Sequence, residues 1–204
     1  MRKLLLGSAS VLALGATVYF SAHAIGQSTG VDEKTFVFTN RPPAPGDIFG
    51  LWRESDLTIL GTVTGVRPLS IPMEGQSPPL AARVFTVAVT ETFASGTKRG
   101  PTMNPAGKDH VVDVMIVGGE RFVGGKRSTT QASGEPLLIV NASYLMFLRW
   151  DERYRTFAPA FGADSVVPVH GDTFDITSRT PELRRHLTLY NDLESLLKQL
   201  RVYR

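Results

Sequence analysis

The 204-residue chain contains no cysteine, which excludes disulfides, cysteine-based metal sites and the lipid attachment of a bacterial lipoprotein. Its formal net charge of +3 and isoelectric point of about 9.3 are typical of a nucleic-acid-binding protein. Arg2 and Lys3 belong, however, to a segment that we expect to be removed. Without them 20 basic residues face 19 acidic residues, so nucleic acid is not an expected partner.

Residues 1–24 have the three parts of a secretory signal peptide. The two cations precede an apolar run over residues 4–20, whose length is at the lower limit for a membrane-spanning helix. Ala22 and Ala24 then place small side chains where signal peptidase requires them, which predicts cleavage before Ile25. The alternative is an uncleaved anchor, the one way in which we expect a membrane contact. Both alternatives predict an exported protein, periplasmic or secreted, and the missing disulfides favour a bacterial origin.

The segment 25–46 is polar and rich in turn-forming residues, which predicts an extended N-terminal arm. An edge strand is the alternative for its patch 35–39. Ile48, Leu51 and Trp52 then have the spacing of one helical face, and Asp47 precedes them as a candidate N-cap. These residues predict a short helix.

From residue 57 onward the pattern alternates between apolar and polar residues. It predicts half-buried strands at 57–66, 84–93 and 111–117, and residues 144–150 are apolar on both faces, as in a strand covered on both sides. A turn at 151–153 predicts a hairpin that joins the strand at 144–150 to one at 154–161, and a turn at 171–172 predicts a second hairpin between strands at 166–170 and 173–176. The stretches 67–82, 97–109 and 118–136 are predicted as long loops.

The C-terminal part returns to helical spacing. Thr180 is a candidate cap, Pro181 suits the first helical position, and leucines from Leu183 to Leu200 form an apolar stripe. We therefore predict a helical segment at 179–204 that packs on the sheet, with a possible division at residues 191–192.

The order of these segments, with Ser55-Asp56-Leu57 before the first strand and Val114 to Gly119 in the third, resembles an uncharacterised exported bacterial domain. The resemblance covers about residues 47–175. It is similar to the oligonucleotide/oligosaccharide-binding (OB) barrels of the tissue-inhibitor-of-metalloproteinase and netrin type. It implies a mainly β domain at 47–178, with an OB-like barrel of five to six antiparallel strands, a short N-terminal helix and a C-terminal helix packed on it. The animal inhibitors bind the protease zinc through an N-terminal cysteine, so that mechanism is excluded here.

No sequence motif predicts a catalytic, metal-binding or cofactor-binding residue. Beyond the leader, His110, His170 and His186 are far apart and lack metal-ligand spacing, and no nucleophile motif is present. Gly124-Gly125-Lys126 fails as a phosphate-binding loop because Glu120 and Arg127 occupy positions that require glycine and serine or threonine. An enzyme whose histidine site is assembled by the fold is left as an alternative.

The candidate ligand or partner site is the predicted loop at 118–127. Its glycines permit unusual backbone angles, and its cations and aromatic residue suit an anionic, glycan or protein partner. The candidate residues are Gly118, Gly119, Arg121, Phe122, Lys126 and Arg127. The sequence thus favours an exported, non-enzymatic binding or assembly module of the bacterial envelope, its partner an envelope protein or glycan. A protein-interaction or hydrolase-inhibitor factor that uses this loop is the alternative, and a solvated loop without a partner is the simplest explanation.

Overall fold

A computed structural model describes residues 19–22, 33–40, 43–73, 76–93, 111–123, 126–176 and 180–202. The fold is mainly β, as predicted, with the following described elements. The strands are β1 Tyr19–Ala22, β2 Glu33–Asn40, β3 Leu57–Met73, β4 Gln76–Phe93, β5 Val111–Val117, β6 Gly119–Val123, β7 Lys126–Ser133, β8 Ser143–Asp151, β9 Thr156–Pro159, β10 Val166–His170 and β11 Thr173–Phe174. The helices are α1 Ile48–Arg53, α2 Pro181–Leu187 and α3 Leu193–Val202. Within these ranges no helix has the length and apolar character needed to cross a bilayer.

The larger sheet has seven strands in the order β11-β10-β8-β3-β4-β5-β9, and β9 also pairs with β8. This second pairing makes the sheet curl back on itself. The seam between β5 and β9 is parallel and consists of one register pair, Val114 with Phe157. The sheet is therefore not a closed barrel, and the expectation of antiparallel strands throughout is wrong at this seam.

A smaller sheet has the order β1-β2-β7-β6. Its β2 pairs in parallel with β7, so the strand predicted as the alternative for residues 35–39 is present and the extended arm is wrong for Glu33–Asn40. Its predicted edge position is wrong, because β1 pairs with the other side of β2. β1 lies inside the predicted signal peptide and pairs with β2, with Ala22 opposite Val37. Cleavage before Ile25 stays a prediction, and it would remove β1.

The predicted loop at 67–82 is wrong, because β3 and β4 continue through it as one long hairpin. Arg67 pairs with Val84, and Ile71 pairs with Leu80. Proline favours extended backbone, so the prolines of this stretch are compatible with strands at places where no ladder donor is needed. Ile71 and Leu80 are buried, since the smaller sheet packs against this part of the hairpin.

Buried side chains form three clusters that follow from the alternation along each strand. In β8, Tyr144, Met146 and Leu148 point into the curled sheet, whereas Leu145 and Phe147 face the helices. In β5, Val112, Val114 and Ile116 point inward as predicted, and Met115 and Val117 pack beneath the smaller sheet. The burial of residues 144–148 on both faces confirms the prediction of a core strand.

The helices cover the outer face of β8. Asp47 accepts a hydrogen bond from the Gly50 amide at 2.7 Å, which confirms the N-cap of α1. Pro181 begins α2 as predicted, but the side chain of Thr180 makes no cap hydrogen bond. The C-terminal segment is divided into α2 and α3, and Arg201 donates two hydrogen bonds of 2.8 Å to Glu91 of β4. Hydrogen bonds to Glu91 and Glu194 raise the pKa of Arg201 above its ordinary value.

Candidate functional site

The predicted loop at 118–127 belongs to a β-hairpin, because β6 and β7 pair from Gly119–Thr130 to Val123–Lys126. The prediction of a long loop over 118–136 is therefore wrong up to Ser133. The register leaves two residues, Gly124 and Gly125, between the strands, and these lie outside the described residues. β6 ends the strand order of the smaller sheet, so one of its edges has no partner strand among the described elements.

Gly118 and Gly119 lie where the chain passes from β5 of the larger sheet to β6 of the smaller sheet. Both have positive φ, +114° and +130°. The Gly118 amide donates to the Ala81 carbonyl at 2.9 Å, and a Cβ on Gly118 would lie 3.3 Å from the Thr130 carbonyl oxygen. The glycines thus turn the chain between two sheets and lie at the base of the hairpin, away from its tip.

Phe122 is the exposed aromatic residue of the hairpin, with 76% of its surface accessible. Opposite it on β7 lies Arg127, which forms an ion pair with Glu120. The side chains of Arg121 and Lys126 lie outside the described part of the structure. Of the six predicted contact residues, Phe122 and Arg127 are therefore the two whose side chains are placed on the exposed hairpin.

The described histidines have separate environments. His170 is exposed at the end of β10, and His110 lies outside the described residues. His186 packs edge-on between Phe49 and Tyr190, and its Nδ1 accepts a hydrogen bond from the Ile48 amide at 3.4 Å. Within the described ranges, no group of three or more His, Cys, Asp or Glu side chains is placed to hold a metal ion.

A groove of about 370 Å³ opens where β5 and β9 separate. The strands diverge here because their ladder has a single register pair. The residues of the groove used below are Val111, Asp113, Trp150, Arg155, Thr156 and Phe157. Its described lining contains no histidine. The groove lies within the size range of small-molecule sites.

The turn between β8 and β9 forms one rim of this groove. Asp151 accepts hydrogen bonds from the amides of Arg153 and Tyr154, at 2.9 and 3.1 Å, which fixes the turn predicted at residues 151–153. The Tyr154 hydroxyl is buried and has no hydrogen-bond partner among the described residues. Burial raises the pKa of Tyr154 above its ordinary value; Arg153 opposes the effect and Asp151 adds to it.

Sequence reasoning missed the groove, since no motif links residues of β5 to residues after β8. One weak signal was present: Asp113 interrupts a run of valines in β5. The Asp113 carboxylate is half-buried and pairs with Arg67, whose guanidinium lies 2.8 Å away across the sheet. The strand prediction alone could not give that pairing, because Arg67 was assigned to a loop.

Comparisons with protein families and with curated proteins found no relative of this chain.

Proposed function

We propose that this chain is an exported, non-enzymatic binding or assembly module of the bacterial envelope, and that its larger sheet is an OB-like barrel. The pairings support this architecture: β5, β4, β3, β8 and β9 are neighbours in that order, and the single register pair between β9 and β5 leaves the barrel partly open. A five-stranded, partly open barrel with non-sequential neighbours is the general form of OB domains. The binding role rests on this likeness of architecture and on the absence of a catalytic motif in the sequence.

The observation that carries the proposal is the β6–β7 hairpin with Phe122 on it. Large aromatic side chains and arginine are enriched where proteins contact partners, and Phe122 is the most exposed large apolar side chain of the described residues. Arg127 and Glu120 flank Phe122 and supply polar groups for the margin of such a contact. The partner class that fits is an envelope protein or a glycan.

Site-specific photocrosslinking in the native envelope tests this proposal. A photoreactive phenylalanine analogue at Phe122 is expected to give one dominant crosslinked product that mass spectrometry identifies. The matched control carries the same analogue at Leu189, which is 72% exposed and lies between α2 and α3. Charge reversal at Arg121, Lys126 and Arg127 is expected to abolish the product at Phe122. Equal products at both positions, or an unchanged product after charge reversal, would exclude the hairpin as the binding surface.

A further inference from the structure

The groove between β5 and β9 has an apolar floor made by two aromatic rings and a valine. Trp150 and Phe157 are register partners on β8 and β9, and their ring centroids lie 5.0 Å apart at an angle of 66°. Val111 is 57% exposed beside them, at the start of β5. This floor suits a flat apolar ring, because aromatic side chains gain most from contact with another ring or aliphatic face.

Of the charged and hydroxyl side chains that line the groove, all but one are engaged by other described residues. Both oxygens of Asp113 have partners: Arg67 donates to Oδ2 at 2.8 Å and Thr86 donates to Oδ1 at 3.2 Å. The Thr156 hydroxyl donates to the Asp113 carbonyl at 2.9 Å. Arg155 makes no hydrogen bond or ion pair with another described residue, although it lines the groove. Its guanidinium is therefore the charged group of the lining that is left to meet a ligand.

The backbone at Arg155 is a second observation that points to its side chain. Its φ is +49°, in the left-handed region that glycine and asparagine occupy at lower cost. Asp151 fixes the turn before it through backbone hydrogen bonds, so the turn does not depend on an arginine at this position. Strained residues of this kind concentrate where a side chain is needed at a particular place.

We propose that this groove binds a small organic anion that carries a flat apolar ring. The ring packs on Trp150, Phe157 and Val111, and the anionic group accepts hydrogen bonds from the Arg155 guanidinium. Arg67 neutralises Asp113, so the carboxylate in the wall does not oppose an anion. The site is distinct from the β6–β7 hairpin, so the proposal holds or fails independently of the crosslinking result.

The test uses the full chain and follows the indole N–H resonance of Trp150 by NMR. The chain has two tryptophans, so Trp52→Phe leaves Trp150 as the single reporter. Benzoate is expected to shift this resonance in a saturable manner, and phenylphosphonate tests a phosphate-like anion on the same ring. Benzyl alcohol has the ring without the charge, and acetate has the charge without the ring. Both are expected to require concentrations at least about tenfold higher.

Two arginines of the same turn provide the decisive pair of variants. Arg155→Gln keeps an unbranched polar side chain but shortens it and removes its charge, and it is expected to weaken binding of the ring anions about tenfold or more. Arg153→Gln is the matched control: its guanidinium lies over the Tyr154 ring, and the expected affinity is unchanged. The proposal is overturned if neither ring anion binds, if benzyl alcohol binds equally well, or if both variants weaken binding equally.

Discussion

Tyr144 lies in the core of the curled sheet and Tyr154 packs against the cluster beneath the smaller sheet, and their hydroxyl groups differ in hydrogen bonding. The Tyr144 hydroxyl accepts a hydrogen bond from the Ile139 amide at 3.0 Å. The Tyr154 hydroxyl is buried without a partner among the described residues. An unpaired buried hydroxyl costs free energy, whereas a paired one contributes about 1 kcal/mol. The same substitution should therefore have opposite effects at the two positions.

We predict that Tyr154→Phe raises the free energy of unfolding by about 1 kcal/mol at neutral pH, because it removes a desolvated hydroxyl. Tyr144→Phe should lower it by about 1 kcal/mol, because it leaves the Ile139 amide without its acceptor. Urea denaturation of both variants and the unchanged chain measures the difference. Destabilisation of similar size in both variants would show that the Tyr154 hydroxyl has a partner.

The raised pKa of Tyr154 also gives a pH dependence with a defined sign. The folded protein holds the phenolic proton more tightly than the unfolded chain does. The resulting contribution to the free energy of unfolding is therefore fully present below the ordinary tyrosine pKa of about 10. It is lost as the pH rises beyond that value. Between pH 8 and about 11, the free energy of unfolding should therefore decrease more steeply with pH for the unchanged chain than for Tyr154→Phe. Parallel pH profiles would contradict the burial of this hydroxyl.

At the scale of elements, β3 shows how closely its neighbours approach. A Cβ on Gly61 would lie 2.7 Å from the Ala88 carbonyl oxygen and 2.8 Å from a Val87 methyl group. A Cβ on Gly65, four residues later in the same strand, would have Thr86 as its nearest neighbour at 4.0 Å. Gly61 is thus required by the fit between strands, and Gly65 is not.

Gly61→Ala should lower the free energy of unfolding by about 2–3 kcal/mol, because backbone of β4 has to move to accept the methyl group. Gly65→Ala adds the same methyl group and should change stability by no more than about 0.5 kcal/mol. Thermal and urea denaturation of the two variants compare them directly. A large loss in Gly65→Ala, or a small one in Gly61→Ala, would contradict the pairing of β3 with β4 in this register.

An element could be predicted from the sequence when its pattern lay within a few consecutive residues. The alternation of β5, the two apolar faces of β8 and the cap at Asp47 are contained in a few consecutive residues, and each was predicted correctly. The extension of β3 and β4 to Met73 and Gln76 was not, because its prolines and polar residues indicate a loop. The burial of Ile71 and Leu80 depends on a second sheet that is distant in sequence.

For the whole molecule, the two candidate sites also differ in whether their residues are adjacent in the sequence or are brought together by long-range pairing. Phe122 and Arg127 could be selected from the sequence because glycines, cations and an aromatic residue are adjacent there. The groove could not be predicted, because Asp113, Trp150 and Arg155 come together through a seam formed by one register pair. What the sequence could not give in either case was the geometry, since the hairpin and the seam both depend on long-range pairing.

Strand β1 lies inside the predicted signal peptide, so the fold bears on the prediction of cleavage. β1 pairs with β2 through residues 19–22, whereas the predicted signal peptidase site lies after Ala24. The backbone of a paired strand is not available to a protease, so we expect the predicted cleavage to precede the pairing of β1 with β2. If cleavage occurs before Ile25 as predicted, the mature chain exposes the β2 edge from Val37 to Asn40 that β1 covers.

We therefore predict that the exported protein lacks residues 1–24 and that its N-terminal residue is Ile25. Small residues at the positions of Ala22 and Ala24 are needed for cleavage, so Ala24→Leu should retain the full mass of 22.3 kDa and accumulate in the membrane fraction. Ala16→Leu, inside the apolar run, is the matched control and should be processed normally. Intact-mass measurement of both variants decides the question. A full-length unchanged chain in the membrane fraction would show instead that the leader is retained as an anchor and that β1 can stay paired with β2.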